Sequence, residues 1–90
     1  MNKAELIDAV ADAADISKAA AARSVDTVLE VITDSLKKGE AVTLVGFGTF
    51  STRRREARTG RNPRTGETIQ IGASNLAVFK AGKGLKDALN

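Results

Sequence analysis

The chain contains no cysteine, histidine, tryptophan or tyrosine, and its 90 residues include one proline and three phenylalanines. The missing cysteine excludes disulfide bonds, and the joint absence of cysteine and histidine excludes the usual structural zinc sites. Because histidine, cysteine and tyrosine supply many of the bases and nucleophiles of enzymes, we expect neither catalysis nor a resident metal or cofactor. A binding or structural role is favoured instead.

Long apolar runs are missing as well. No run approaches the roughly 18 residues that a membrane-spanning helix needs. The N-terminal segment 1–5 leads into an amphipathic helix punctuated by aspartates rather than into the apolar stretch of a signal peptide. We therefore expect a soluble, cytoplasmic protein that does not bind a membrane.

Arginine is concentrated in one segment. Residues 51–66 hold six of the seven arginines, one acid and no large apolar side chain, so this segment cannot build a core. The guanidinium group grips phosphates through a planar fork of donors, which favours nucleic-acid contact over mere solubility. The competing interpretation is an ordinary solvated run of charge.

The charge distribution is polarised along the chain. Residues 1–40 carry a net charge of −3, residues 41–50 none, residues 51–66 +5 and residues 67–90 +1, which together give the overall +3. A local field of this kind attracts a polyanion more strongly than the net charge suggests.

The size of the chain limits its core. Ninety residues make one domain at most. If the arginine segment projects from the body, about seventy residues remain, which is marginal for a core. Without disulfides or a structural metal, self-association is the remaining source of stability.

Two helices are predicted in the first part of the chain. Asn2 is placed to cap the first helix, and Ser17 is placed to cap a longer second helix that ends at the glycine of Lys37-Lys38-Gly39. The second helix carries one apolar stripe at helical spacing. That stripe consists of Ala21, Val25, Val28, Leu29, Ile32 and Leu36.

The residues after Gly39 change to a strand-like period. Segment 42–45 predicts a short strand, 46–48 a tight turn, and 49–52 the start of a strand that continues into the arginines, with Arg53 and Arg55 on one face and Arg54 on the other. Segment 62–66 has turn chemistry, and 68–71 alternates as a returning strand, so a long hairpin is expected. Segment 76–79 predicts a last strand, and 82–89 a short, weak helix.

The predicted fold class is therefore α+β. A single domain, residues 1–90, consists of a helical base at 1–40, a sheet and arm at 41–80 with the arm at about 53–74, and a C-terminal helix at 82–90. Because an isolated hairpin with few apolar residues is marginally stable, we expect the arm to be mobile without a ligand and ordered on DNA.

Three motifs carry a resemblance to a known family. Gly46-Phe47-Gly48-Thr49-Phe50, then Ala57-Arg58-Thr59-Gly60-Arg61-Asn62-Pro63-Arg64-Thr65-Gly66, and then Phe79-Lys80-Ala81-Gly82-Lys83 resemble the bacterial histone-like HU family, which includes integration host factor. The resemblance covers the whole chain. It implies an intertwined dimer with a helical base and two β-arms that embrace DNA through the minor groove. Each arm tip would insert its proline between base pairs.

The resemblance and the residue chemistry together define a candidate DNA-binding set. Pro63 is the intercalating residue, because its rigid apolar ring has no N–H to leave unpaired. Arg61 and Asn62 flank this wedge and suit the acceptors of the narrow groove. The remaining candidates are Arg53, Arg55, Arg58 and Arg64 along the arm, and Lys3, Lys80, Lys83 and Lys86 against flanking DNA.

The phenylalanines lie beside glycines and aliphatic residues rather than among the arginines, so they are assigned to a core or dimer interface and not to base stacking. In the HU family such a cluster lies between subunits and would join the stripe of the second helix. The predicted dimer core consists of Phe47, Phe50, Phe79, Val28, Leu29, Ile32, Leu36 and Leu44.

The expected function is histone-like binding of double-stranded DNA at the bacterial nucleoid, with bending and with compaction or stabilisation of the DNA. Phosphate-directed arginines and a wedge sense groove width and deformability rather than the major-groove code. We therefore expect little sequence specificity and a preference for bent, nicked or gapped DNA. The alternatives left open are a sequence-specific host-factor-like protein, an RNA-binding module, a purely structural or protein-interaction role, and a heterodimer with a paralogue in place of a homodimer.

Overall fold

A computed structural model describes all 90 residues of the chain. Helix α1 covers Lys3–Ala14, α2 Lys18–Lys37 and α3 Lys83–Leu89; strands β1 to β5 cover Val42–Leu44, Gly48–Arg55, Arg58–Arg61, Thr68–Ile71 and Ser74–Ala81. The predicted α+β class is confirmed. None of the helices combines the length and the apolar character that crossing a membrane requires. The chain divides into two compact units, Met1–Asp34 and Ser35–Asn90.

The first unit contains α1 and most of α2, and both predicted N-caps are confirmed. The Glu5 amide donates to Asn2 Oδ1 at 2.9 Å, and the Ala20 amide donates to Ser17 Oγ at 3.1 Å. Each cap satisfies one of the free N–H groups at the start of a helix. The buried apolar residues of the unit are small: Ala11, Ala21 and Val25.

Helix α2 ends at the predicted glycine. Gly39 has φ of 77°, and its amide donates to the Leu36 carbonyl at 3.0 Å. The left-handed conformation is one that glycine adopts without steric cost. The chain can therefore leave the helix and enter β1.

The second unit is built on a three-stranded antiparallel sheet with the order β1-β2-β5. The turn between β1 and β2 starts at Val45, one residue earlier than predicted, and Gly48 belongs to β2 rather than to the turn. The reason is the pairing of Leu44 with Gly48, which closes the hairpin around Gly46 at φ of 81°.

Strand β5 is longer than the predicted segment 76–79. It pairs with β2 at eight consecutive positions, from Gly48 opposite Ala81 to Arg55 opposite Ser74. The ladder extends the strand because each added residue finds a partner on the arginine-bearing end of β2. The apolar residues alone could not indicate this length.

The arm consists of two hydrogen-bonded ladders. The lower ladder joins β2 to β5, and its outer pairs belong to the arm. The upper ladder joins β3 to β4 from Arg58 opposite Ile71 to Arg61 opposite Thr68. Residues 56–57 and 72–73 lie between the two ladders and belong to neither. The predicted hairpin is thus confirmed, with an interruption that its sequence did not indicate.

Helix α3 begins against the turn between β1 and β2. The Gly82 amide donates to the Phe47 carbonyl at 2.8 Å, and the Leu85 amide donates to the Gly46 carbonyl at 3.0 Å. Nearby, the Phe79 ring lies 4.8 Å from the Phe50 ring and 5.6 Å from the Phe47 ring, measured between centroids, in tilted arrangements. Tilted aromatic pairs at such separations are favourable.

We predict that Gly48→Ala destabilises the second unit. A Cβ at Gly48 would lie 2.5 Å from the Phe79 ring and 2.7 Å from the Lys80 carbonyl oxygen. Relief of this overlap requires movement of both a packed ring and the β5 backbone, with an expected cost of about 1–3 kcal/mol. The change is measured as the shift in the urea midpoint of unfolding.

The matched control is Gly72→Ala, because a Cβ there meets nothing within 4 Å. Its free energy of unfolding should stay within about 0.5–1 kcal/mol of the parent chain. Equal midpoints for the two variants would contradict the steric account of Gly48.

Candidate nucleic-acid interface

The lower ladder of the arm has one cationic face. Arg53 and Arg55 alternate with Arg54 along β2, so they share the face opposite to Arg54, as predicted. Lys80 pairs with Thr49 and therefore lies on the same face as these two arginines. We call the residues Thr49, Ser51, Arg53, Arg55 and Lys80 the basic face.

Thr49 and Ser51 were not among the predicted site residues. They continue the period-two pattern of Arg53 and Arg55 back toward the base of β2. Both are half-buried, and their hydroxyl groups are suited to phosphate or sugar contacts. The alternation alone could have found them.

The upper ladder distributes its arginines over both faces. Arg58 shares a face with Gly60, Ile69 and Ile71, whereas Arg61 lies on the opposite face. The Arg61 face is otherwise polar and consists of Thr59, Thr68 and Gln70. The arm thus presents cations in two directions near its tip, which its sequence did not predict.

The tip is a turn fixed by hydrogen bonds. Asn62 Oδ1 accepts from the Arg64 amide at 2.9 Å, and the Asn62 carbonyl accepts from the Gly66 amide at 2.8 Å. Gly66 has φ of 75°. This contact uses the acceptor oxygen of the Asn62 side chain and leaves its NH2 group available to donate. Pro63 is exposed between these anchored residues.

The predicted lysines occupy both units. Lys83 and Lys86 are exposed residues of α3 in the same unit as the arm. Lys3 belongs to the first unit, where its Nζ lies 2.5 Å from Asp26 Oδ1. Contact of Lys3 with a phosphate would compete with this ion pair.

One ion pair lies within the arm. Arg54 Nε is 3.3 Å from Glu56 Oε1, with both side chains mostly exposed. The remaining arm arginines, Arg53, Arg55, Arg58, Arg61 and Arg64, form no ion pair with an acidic side chain of the chain. Their charges are therefore available to a polyanion.

The predicted dimer-core residues are poorly covered within the single chain. Phe47 and Phe79 are 47% and 43% exposed, and Val28, Leu29 and Leu44 are also exposed. Phe50, Ile32 and Leu36 are half-buried. No large side chain of the chain is fully buried.

Comparison with known proteins places these features in a family. The family model described as bacterial DNA-binding protein matches residues 1–90. The DNA-binding protein HU-beta of Pseudomonas aeruginosa is 60% identical over 90 residues, and that of Escherichia coli K12 is 58% identical over 90 residues. Each alignment covers 100% of both chains.

Solved structures agree with the sequence relatives. A chain of an Anabaena HU–DNA cocrystal structure matches with a TM-score of 0.89 and 45% identity over 99% of this chain and 97% of that chain. HU from Thermotoga maritima matches with a TM-score of 0.71 and 37% identity over 100% of both chains. With a family model that spans every residue and relatives that match from end to end, the chain belongs to the bacterial DNA-binding protein family of HU.

Proposed function

We propose that this chain is a histone-like protein of the bacterial nucleoid that binds duplex DNA through the minor groove, bends it by inserting Pro63, and compacts or stabilises it. The observation that carries the proposal is the arm: an exposed hairpin rich in unpaired arginines that ends in an ordered proline turn. Binding would take place in the cytoplasm, where the nucleoid lies.

Charge supplies the affinity. Residues 51–66 carry a net charge of +5, and five of their six arginines form no ion pair with a side chain of the chain. Arginines freed from internal partners can neutralise phosphates and release condensed counterions, which dominates non-specific DNA binding. We propose that Arg53, Arg55, Arg58 and Arg64, with Lys80, Lys83 and Lys86, contact sugar and phosphate in this way. Lys3 would make such a contact only by giving up its ion pair with Asp26.

The tip supplies the bend. The hydrogen bonds of Asn62 with the Arg64 and Gly66 amides close the turn, and Pro63 is exposed at its tip. Within the minor-groove class that includes HU and integration host factor, unstacking a base step is known to cost about a few kcal/mol. Arg61 and the Asn62 NH2 group would offset part of that cost through donation to groove acceptors.

The same chemistry argues against strong sequence readout. Minor-groove acceptors do not distinguish A·T from T·A or G·C from C·G, and phosphate contacts carry no sequence information. DNA that is already bent, nicked or gapped requires less additional deformation energy when the protein binds. We therefore propose binding to many DNA sequences with a preference for such sites. A single fixed bend site in a footprint would favour the sequence-specific alternative. Equal affinity for RNA and DNA would favour the RNA-binding alternative.

We also propose that the active form is a dimer of two identical chains. The single chain exposes 7215 Å², whereas a compact protein of 9.4 kDa exposes about 5,000 Å². The excess is about 2,200 Å² per chain, to which the exposed arm contributes, and the corresponding total of about 4,400 Å² for two chains falls in the range of obligate interfaces. Its apolar part includes the exposed phenylalanines and the stripe of α2, which a second copy would cover.

The first test is the affinity for one duplex of about thirty base pairs, intact or with a central nick, over a series of salt concentrations. We expect a steep fall of affinity with salt, equivalent to several neutralised phosphates, and tighter binding of the nicked form. A flat salt dependence would sink DNA binding as the function. Equal affinity for the intact and the nicked duplex would indicate that the arm binds DNA through its charge alone and that Pro63 does not intercalate.

The second test is Pro63→Ala. Because the substitution removes the apolar wedge and no charge, we expect the bend angle measured by fluorescence energy transfer between duplex ends to fall and the preference for nicked DNA to disappear. The salt slope should not change. The matched control Thr65→Ala alters the same turn, where Thr65 Oγ1 accepts from the Glu67 amide at 3.3 Å, and it should retain the bend.

The third test addresses the dimer. Sedimentation equilibrium should give twice the 9.4 kDa chain mass, and the Tm should rise with protein concentration. Phe79→Ala should destabilise the dimer by about 3–5 kcal/mol. Ile69→Ala in the arm is the control, because Ile69 is 44% exposed and Phe79 43% exposed in the single chain. A monomeric mass with a concentration-independent Tm would contradict the proposal.

A further inference from the structure

Three consecutive arginines, Arg53, Arg54 and Arg55, end strand β2, and they are not equivalent. Arg53 and Arg55 belong to the basic face, whereas Arg54 lies on the face that carries Phe50. Of the three, only Arg54 has an acidic partner, with Nε 3.3 Å from Glu56 Oε1. Both partners lie at the end of the lower ladder, where β2 gives way to residues 56–57.

The ion pair makes the charge of the lower ladder one-sided. The basic face carries the three cations Arg53, Arg55 and Lys80 and no acid. On the opposite face the Arg54 and Glu56 charges cancel. The cross-strand neighbours there, Asn75 and Ala77, are neutral. Glu56 is also the one acid among residues 41–66.

A carboxylate next to a guanidinium group opposes phosphate binding in two ways. It occupies the Nε donor, which a phosphate would otherwise use, and its own charge repels the phosphate. The exposed pair contributes little to folding, because water screens it on all sides. The same carboxylate adds a negative charge at the place where a phosphate would approach Arg54.

We propose that Glu56 withholds Arg54 from DNA and thereby determines which face of the arm binds. Of the three consecutive arginines, Arg53 and Arg55 neutralise phosphates and Arg54 does not. The inference rests on the proposed DNA-binding function and deepens it. Glu56 is a specificity-determining residue: it limits the non-specific affinity of the arm and fixes its orientation on the duplex.

The test is a double-mutant cycle read as the slope of log affinity against log salt, on one intact duplex of about thirty base pairs. Arg54→Gln in the parent chain should leave the slope unchanged, whereas Arg53→Gln should lower it by about one unit. Glu56→Gln should steepen the slope by about one unit, because it releases Arg54. The double variant Arg54→Gln/Glu56→Gln should return to the parent slope.

The matched control is Glu67→Gln, which removes the same charge from the arm at a residue whose carboxylate forms no ion pair. It should change the slope by much less than Glu56→Gln does. Circular dichroism of each variant verifies that the fold is retained.

Several results would overturn the inference. The first is a slope that Arg54→Gln lowers as much as Arg53→Gln does. The second is a slope for Glu56→Gln equal to that of Glu67→Gln or of the parent chain. The third is a slope for the double variant that remains steeper than that of the parent chain. Each shows that Glu56 does not act through Arg54. A parent chain whose DNA affinity does not depend on salt would be a separate result, because it would contradict the proposed DNA-binding function itself and not only the role of Glu56.

Discussion

The ladder between β2 and β5 is the interaction on which the rest of the structure depends. Its eight residue pairs run without interruption from Gly48 and Ala81, beside the phenylalanine cluster, to Arg55 and Ser74 in the arm. Backbone hydrogen bonds hold this length, so the outer pairs need no apolar side chains of their own. The strand can therefore present Phe50 on one face at its base and Arg53 on the other face further out.

Different parts of the chain carry the positive charge and the apolar side chains. The arm contributes charge and few large apolar side chains, among them Ile69 and Ile71, and the chain has three buried apolar residues, none of them large. Such a chain cannot obtain a normal core by itself. In the proposed dimer, a second copy would cover the exposed apolar side chains of α2 and of the phenylalanine cluster. The dimer would thus compensate for the residues that the arm takes away from the core.

The arginines of the arm differ in their electrostatic surroundings, which the composition of the segment does not show. The arginine count suggests a uniformly cationic segment, yet Arg54 is paired with Glu56 and the upper ladder places Arg58 and Arg61 on opposite faces. Strand alternation converts a run of like residues into faces with different charge. What the arm offers to a ligand is a pattern of charge, and in the proposed function this pattern would decide which arginines contact DNA.

The elements that depend on local chemistry could be predicted from the amino-acid sequence. The caps at Asn2 and Ser17, the glycine that ends α2, the turn at 62–66 and the alternation of Arg53 and Arg55 all follow from side chains within a few residues of one another. The specific tip motif also identified the family, which a full-length match confirms. The tertiary structure decided the length of β5, the interruption of the arm at 56–57 and 72–73, the pairing of Arg54 with Glu56, and the membership of Thr49 and Lys80 in one face. These features depend on register between strands that are distant in sequence, and a shift of one residue in that register would move every side chain to the other face.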